Sequence, residues 1–247
     1  MVSNIKSPKQ ALNPAFLKQK PERKEIELFK REFISLLNNI KNTENKESEE
    51  HYKIDVMNFL NSVYYKDKHY INTKGKNDLV IHNSNDVMSS VGVLIEAKSP
   101  VNKSEMVSLD NLNVKSFQEL VLYYLRERKT GKNFELRYLV ITNIYEWFVF
   151  DAQDFEKLFY QNKALLNRFE QFQEGKLSGT STDFFYKEIA SPEIQKLQNE
   201  IFFAYFDIRE YEGIIRNSDK EDDKKLIALY KFLSPTHLLK LSFSNYY

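Results

Sequence analysis

The chain has 247 residues, 42% of them hydrophobic and 14% aromatic, enough to bury a core of one large domain or a domain with an extension. Its 36 basic and 35 acidic residues leave a net charge of +1, so attraction to nucleic acid has to come from a local patch. With no cysteine, disulfides, Cys-zinc sites and thiol catalysis are excluded, and four scattered histidines offer no metal-ligand spacing. No apolar run approaches the roughly 20 residues that span a bilayer, and no signal-peptide core opens the chain. The expectation is a cytoplasmic protein without membrane contact.

In chain order, prolines at 8, 14 and 21 prevent a continuous helix, and residues 1–20 read as an extended arm. From Pro21, Ile26, Phe29, Phe33, Leu36, Leu37 and Ile40 recur at helical spacing. After the polar break "KNTENKESEE", a second helix carries Val56, Leu60 and Val63 on one stripe, with Ile54, Met57 and Tyr64 beside it. Ser48 suits its N-cap, and Glu49 and Glu50 suit its first turn. Two strands follow, about 78–82 and 91–98, then a helix with Phe117, Leu120, Val121 and Tyr124 at helical spacing. "ELRYLVITN" and "EWFVFD" predict a β-hairpin turning at Asn143-Ile144-Tyr145. Past residue 155 the pattern is helical, including the run "SPEIQKLQNEIFFAYFDIREY". The boundaries drawn are an arm at 1–20, a core at 21–160 and a helical connector at 161–247.

The chemistry concentrates in "KNDLVIHNSNDVMSSVGVLIEAKSP", residues 76–100. Glu-x-Lys occurs five times in the chain, and only the copy at Glu96 lies inside a strand. Strand alternation puts Val91, Val93, Ile95 and Ala97 on one face and Gly92, Leu94, Glu96 and Lys98 on the other. Glu96 and Lys98 then stand about 7 Å apart, and an antiparallel partner starting at Asp78 adds a second carboxylate. Asp78, Glu96 and a backbone carbonyl, that of Ala97, make an all-oxygen site for Mg²⁺, with Mn²⁺ as a substitute. Such an ion polarises a phosphodiester and lowers the pKa of a bound water, and Lys98 offsets charge on the transition state. On this reading Lys98 serves catalysis and is dispensable for folding. The plainer alternative is a surface Glu-Lys pair on a sheet rim.

The order helix, hairpin with Asp and Glu-x-Lys, helix, strand resembles the PD-(D/E)xK nuclease superfamily. It resembles most closely the N-terminal nuclease region of type IIG restriction-modification enzymes, through "ESEEHYK", "INTKGKNDLVIH", "GVLIEAKSPVNKSEM" and "RYLVITNIYEWFVFD". "LVITNIYEWFVFD" is also similar to the Thr-Asn…Trp strand pair of type I restriction subunits. The resemblance implies an α/β fold, a restriction-endonuclease-like mixed β-sheet flanked by helices, with a helical C-terminal extension. It further implies bacterial, Mg²⁺-dependent cleavage of double-stranded DNA, with Asp78 and Glu96 as ligands and Lys98 as the catalytic lysine. Asn77 stands where the superfamily often has Pro. A helix glutamate facing the metal is expected at Glu50, with Glu49 nearly as suitable. Gln118, followed by Tyr123 and Tyr124, is similar to the Gln-x-x-x-Tyr helix of some relatives, one residue out of register. Lys66, Lys68, Lys74 and Lys76 are the candidate phosphate contacts. No Asn-Pro-Pro-Tyr and no Gly-rich cofactor loop is present, and "LIALYKFLSPTHLLKL" looks like a lead-in to a methyltransferase. The resemblance therefore implies a nuclease piece with its methyltransferase and specificity region C-terminal to it. Two alternatives stand beside it: a non-catalytic nuclease-fold docking module and a repair-type RecB-like nuclease.

Overall fold

The computed structural model describes residues 4–43, 48–74, 77–197, 200–216 and 223–241, the side chains of Lys74, Asn77, Asp78 and Asp223 excepted. The chain opens with a short strand β1 (Ile5–Lys6) and two short helices, α1 (Pro8–Ala11) and α2 (Pro14–Lys18). Helices α3 (Arg23–Thr43) and α4 (Glu49–Leu60) precede strands β2 (Ile71–Lys74), β3 (Asn77–His82) and β4 (Val91–Ala97). Helix α5 (Lys115–Leu125) leads to β5 (Tyr138–Thr142) and β6 (Glu146–Asp151). Then come α6 (Ala152–Phe155), α7 (Lys163–Gln173), α8 (Thr182–Phe184), α9 (Ser191–Leu197) and β7 (Phe203–Asp207). Helices α10 (Glu212–Arg216), α11 (Asp223–Leu233) and α12 (Pro235–Leu238) close the described chain.

Seven strands form one mixed sheet in the order β1-β7-β6-β5-β4-β3-β2. The β4·β5 and β1·β7 pairs are parallel, and the others are antiparallel. The expected mixed α/β architecture, with flanking and C-terminal helices, is the observed one. One face packs Leu79, Ile81, Val93, Ile95 and Val140 under α3, α4 and α11. The other packs Val80, Leu94, Leu139 and Ile141 under α5, α7 and α9. The helical stripe Ile26, Phe29, Phe33, Leu36, Leu37 and Ile40 is buried throughout. Among the described residues no helix is long and apolar enough to cross a membrane.

Three local expectations change. The N-terminal arm is not simply extended: Pro8 and Pro14 each start a short helix, capped by Ser7 and Asn13. A proline lacks only the N–H that a first-turn residue does not need, so it begins helices as readily as it ends them. Residues 203–207, read as helix, form β7 between β6 and β1, because Phe203, Ala204 and Phe206 gain two strand partners and burial on both faces. Val91 packs with Leu94 instead of Val93, because the β3·β4 register shifts at Ile81/His82.

The arm is fastened by a buried cation. Lys231 of α11 is 2% exposed and donates to the carbonyls of Phe16 (2.6 Å), Leu17 (3.0 Å) and Gln19, the open end of α2. Burial holds its pKa below the ordinary lysine value. Lys231→Met keeps the stem and removes the donors, so it is expected to cost about 1–3 kcal/mol. Limited proteolysis should then cut near residues 13–20, and an arm as resistant as wild type would refute this fastening role.

Candidate functional site

Strand β4 is buried over its whole length, and the charges gather at its C-terminal end. Leu79 pairs with Ile95 and Val80 with Leu94, so the same antiparallel ladder sets the backbone of Asp78 across from Glu96. The expected proximity of the two strand ends is therefore present in the backbone. The Asp78 side chain lies outside the described residues, as do the Lys74 side chain and the whole of Lys76.

Glu96 (1% exposed) and Lys98 (4% exposed) are fully interior. The Lys98 Nζ lies 2.6 Å from Glu96 Oε1 and 2.7 Å from Glu119 Oε2, and 4.0 Å from Glu49 Oε1. Its backbone N–H donates to the Thr142 carbonyl at 2.8 Å, which ties β4 to the end of β5. Burial by itself lowers a lysine pKa; here Glu96 and Glu119 outweigh it and hold the ammonium above its ordinary value. Lys98 is thus a permanent cation clamped between two carboxylates, not a rim charge.

Glu119, on α5, did not stand out in the sequence. The expected residue, Gln118, points elsewhere and donates from Nε2 to Asn113 Oδ1 at 3.0 Å. The helical register held the signal: Glu119 and Tyr123 stand four apart, the spacing that Gln118 misses. On α4 the nearer acid is Glu49, not Glu50. Glu50 shares its face with Ile54, which is 44% exposed, whereas Tyr52 and Val56 turn inward. Lys53 Nζ bridges Glu49 (3.7 Å) and Glu50 (3.4 Å). Four carboxylates and two ammoniums make up this network, a formal excess of two negative charges.

The candidate phosphate lysines separate. Lys66 and Lys68 are exposed just past the π-helical turn Asn61–Tyr65. From Glu49 to Lys66 the chain runs 17 residues along a continuous helix, about 25 Å. Lys68 instead lines an open cleft of about 520 Å³ with Phe16, Lys20, Glu22 and Tyr230. Trp147 is buried in the core.

The hairpin after β5 is strained. Ile144 has φ 74°, the left-handed region that a β-branched residue avoids. Four contacts hold it: Thr142 Oγ1 accepts from Ile144 N–H (2.8 Å), and Asn143 Oδ1 accepts from Glu146 N–H (2.7 Å). Trp147 Nε1 donates to the Ile144 carbonyl (2.7 Å), and Ile208 N–H to that of Tyr145 (2.8 Å).

The carboxylates are hard oxygen donors, the chemistry that suits Mg²⁺. Among the described residues no three acids or histidines converge on a single metal position. A metal held here needs Asp78 as well as Glu96. No curated protein and no solved structure matches the chain. A family model does match, over residues 6–246, so the chain belongs to DUF7149, a domain family of unknown function.

Proposed function

We propose that this member of the DUF7149 family is the Mg²⁺-dependent nuclease core of a type IIG-like restriction-modification system, hydrolysing phosphodiesters of double-stranded DNA in the bacterial cytoplasm. The observation that carries this reading is the chain path around the acids. Helix α4, the β2-β3-β4 meander, helix α5 and the parallel strand β5 set Asp78 across from Glu96, with Lys98 two residues on. Asp78, Glu96 and the Ala97 carbonyl would hold the ion, which supplies a polarised phosphate and a more acidic bound water. Lys98 stays protonated at every physiological pH and balances charge gathering on the phosphoryl oxygens. Glu119 and Glu49 hold that ammonium in place. Sequence recognition and methylation belong to a separate region in this reading. With a net charge of only +1, binding to random DNA is expected to be micromolar or weaker and steeply salt-dependent.

Calorimetric titration with Mn²⁺ tests it. The wild-type chain should take up the ion, and Asp78→Ala and Glu96→Gln should not; nicking of supercoiled plasmid should require Mg²⁺. Equal Mn²⁺ uptake by Asp78→Ala would overturn the assignment. One observation favours a non-catalytic docking module instead: Lys98 is already engaged by two buried carboxylates. In that case even the wild-type chain takes up no Mn²⁺.

A further inference from the structure

Helix α12 is docked through a ring held in an aromatic slot. The imidazole of His237 lies between Tyr138 of β5, with centroids 4.9 Å apart, and Phe232 of α11, at 4.7 Å. Two further contacts pin the same segment. Leu239 packs against Gly92 of β4, where an added Cβ would collide with its Cδ2. Lys240 Nζ reaches both oxygens of Asp151 on β6, at 2.9 and 3.1 Å, and lies 5.0 Å from the Tyr138 ring centroid. The segment therefore rests on β4, β5 and β6, and Gly92 lies near the start of the strand whose far end carries Glu96.

The ring is suited to this slot only while it is neutral. Its Nε2 is sealed from solvent and, among the described residues, has no hydrogen-bond partner. A neutral imidazole carries a proton on one nitrogen and a charged one on both. Whichever tautomer is present, protonation leaves an N–H at Nε2 without an acceptor and brings a charge with it. The neighbouring charges do not offset this. Asp151 favours the charged ring, but its oxygens already accept from Lys240 and from the Gln153 N–H at 2.9 Å. Lys6 of β1 and Asp154 of α6 line a small cavity of about 110 Å³ beside the ring, one cation and one anion. From β7 and α1 only Phe203, Ala204 and Ala11 face that cavity. Burial first and Asp151 second hold the Tyr138 phenol above its ordinary pKa, so it stays neutral. The two aromatic faces attract a cation, yet burial outweighs them: with Lys240 as the second cause, it holds the imidazole pKa down at about 4.

We infer that His237 is a proton-sensitive latch, whose neutral ring docks residues 234–241 on the sheet and whose protonation releases them while the strands stay folded. The sign follows from linkage. Free of the sheet the ring takes up a proton near 6.5, and docked only near 4. Docking is therefore complete above about 6.5 and weakens about tenfold for each pH unit below it, down to about 4. The latch stands independently of the nuclease reading.

Backbone hydrogen exchange of the full chain, followed from neutral pH to about pH 4.5 and corrected for the intrinsic rate, tests it. The N–H groups of Leu238, Leu239 and Lys240 donate to the carbonyls of Ser234, Pro235 and His237 at 2.9, 2.9 and 3.0 Å. Their opening should rise about tenfold per pH unit below about 6.5, while the amides of β5 and β6 keep their protection. His237→Phe keeps a ring in the slot and cannot ionise, so its segment should stay protected throughout. An equal pH response in wild type and His237→Phe would overturn the latch, as would strands that open together with the segment. Should His237→Phe fail to fold, the wild-type chain decides by NMR titration. A His237 Cε1 midpoint well below 6.5 supports the latch, and one at or above 6.5 removes it.

Discussion

Lys98→Ala is expected to lower the unfolding free energy by about 3–5 kcal/mol, since removing one partner of a buried charge cluster strands the others. Glu96 and Glu119 would be left interior, 1% and 8% exposed, without the ammonium that sits 2.6 and 2.7 Å from them. The expectation that Lys98 is dispensable for folding suits a lysine at a solvated rim, whereas Lys98 is 4% exposed. Denaturant unfolding measures the loss, and Lys98→Met with Glu119→Gln should recover part of it through the coupling of adjacent sites. The pH dependence has a definite sign. A folded-state pKa raised above the unfolded value of 10.5 gives stability that is complete below that value and is lost as pH climbs past it. The gap between wild type and variant should therefore persist at neutral pH and shrink in strong alkali. On the nuclease reading, cleavage falls about 100- to 1,000-fold as well. A variant within about 0.5 kcal/mol of wild type would show that the clamp does not bear on stability.

Trp147→Ala should cost about 3–5 kcal/mol, the range for deleting a large aromatic from a packed core. Trp147 is 2% exposed and stacks on Phe206 at 5.6 Å with an interplanar angle of 14°. It also donates to the carbonyl of Ile144, the residue held at φ 74°. Strain of that kind persists only where the surroundings over-determine it. Trp147→Phe keeps a ring and loses the donor, so about 1–3 kcal/mol is expected from the unpaired carbonyl. The consequence reaches the charge cluster, because the Thr142 carbonyl at the start of this turn accepts the Lys98 N–H at 2.8 Å. Both variants should shift the amide resonance of Lys98. A Trp147→Ala variant losing under about 1 kcal/mol would mean that the hairpin holds its shape without the indole.

The Thr-Asn…Trp resemblance thus acquires a physical content. Thr142 and Trp147 each supply one side-chain hydrogen bond, and Asn143 two, to a turn that would otherwise relax. Nothing in the spacing of those residues announces the positive φ at Ile144, since an isoleucine there argues against it.

By itself the sequence determined the elements whose signal is local. The α3 stripe, the two strands carrying Asp78 and Glu96, the amphipathic α5 and the hairpin at 143–145 follow from periodicity and turn chemistry, which act between residues a few positions apart. It also determined that Leu94 and Glu96 share Lys98's side, because alternation is a property of a single chain; Val91, beyond the register shift, departs from it. Only the tertiary structure decided what meets what. β7 is a strand because β6 and β1 offer it hydrogen bonds from about 55 and nearly 200 residues away, outweighing a helical pattern. The clamp takes its second carboxylate from Glu119, next to the glutamine that the motif spacing favours. Gln118 turns to Asn113, and one residue of helical rotation, about 100°, brings Glu119 to Lys98. The choice of Glu49 over Glu50, and the separation of Lys66 from Glu49, depend likewise on how α4 is rotated and directed against the sheet. That rotation is set by the burial of Tyr52 and Val56, a packing outcome shared among α3, α4 and the strands, and no single segment encodes it.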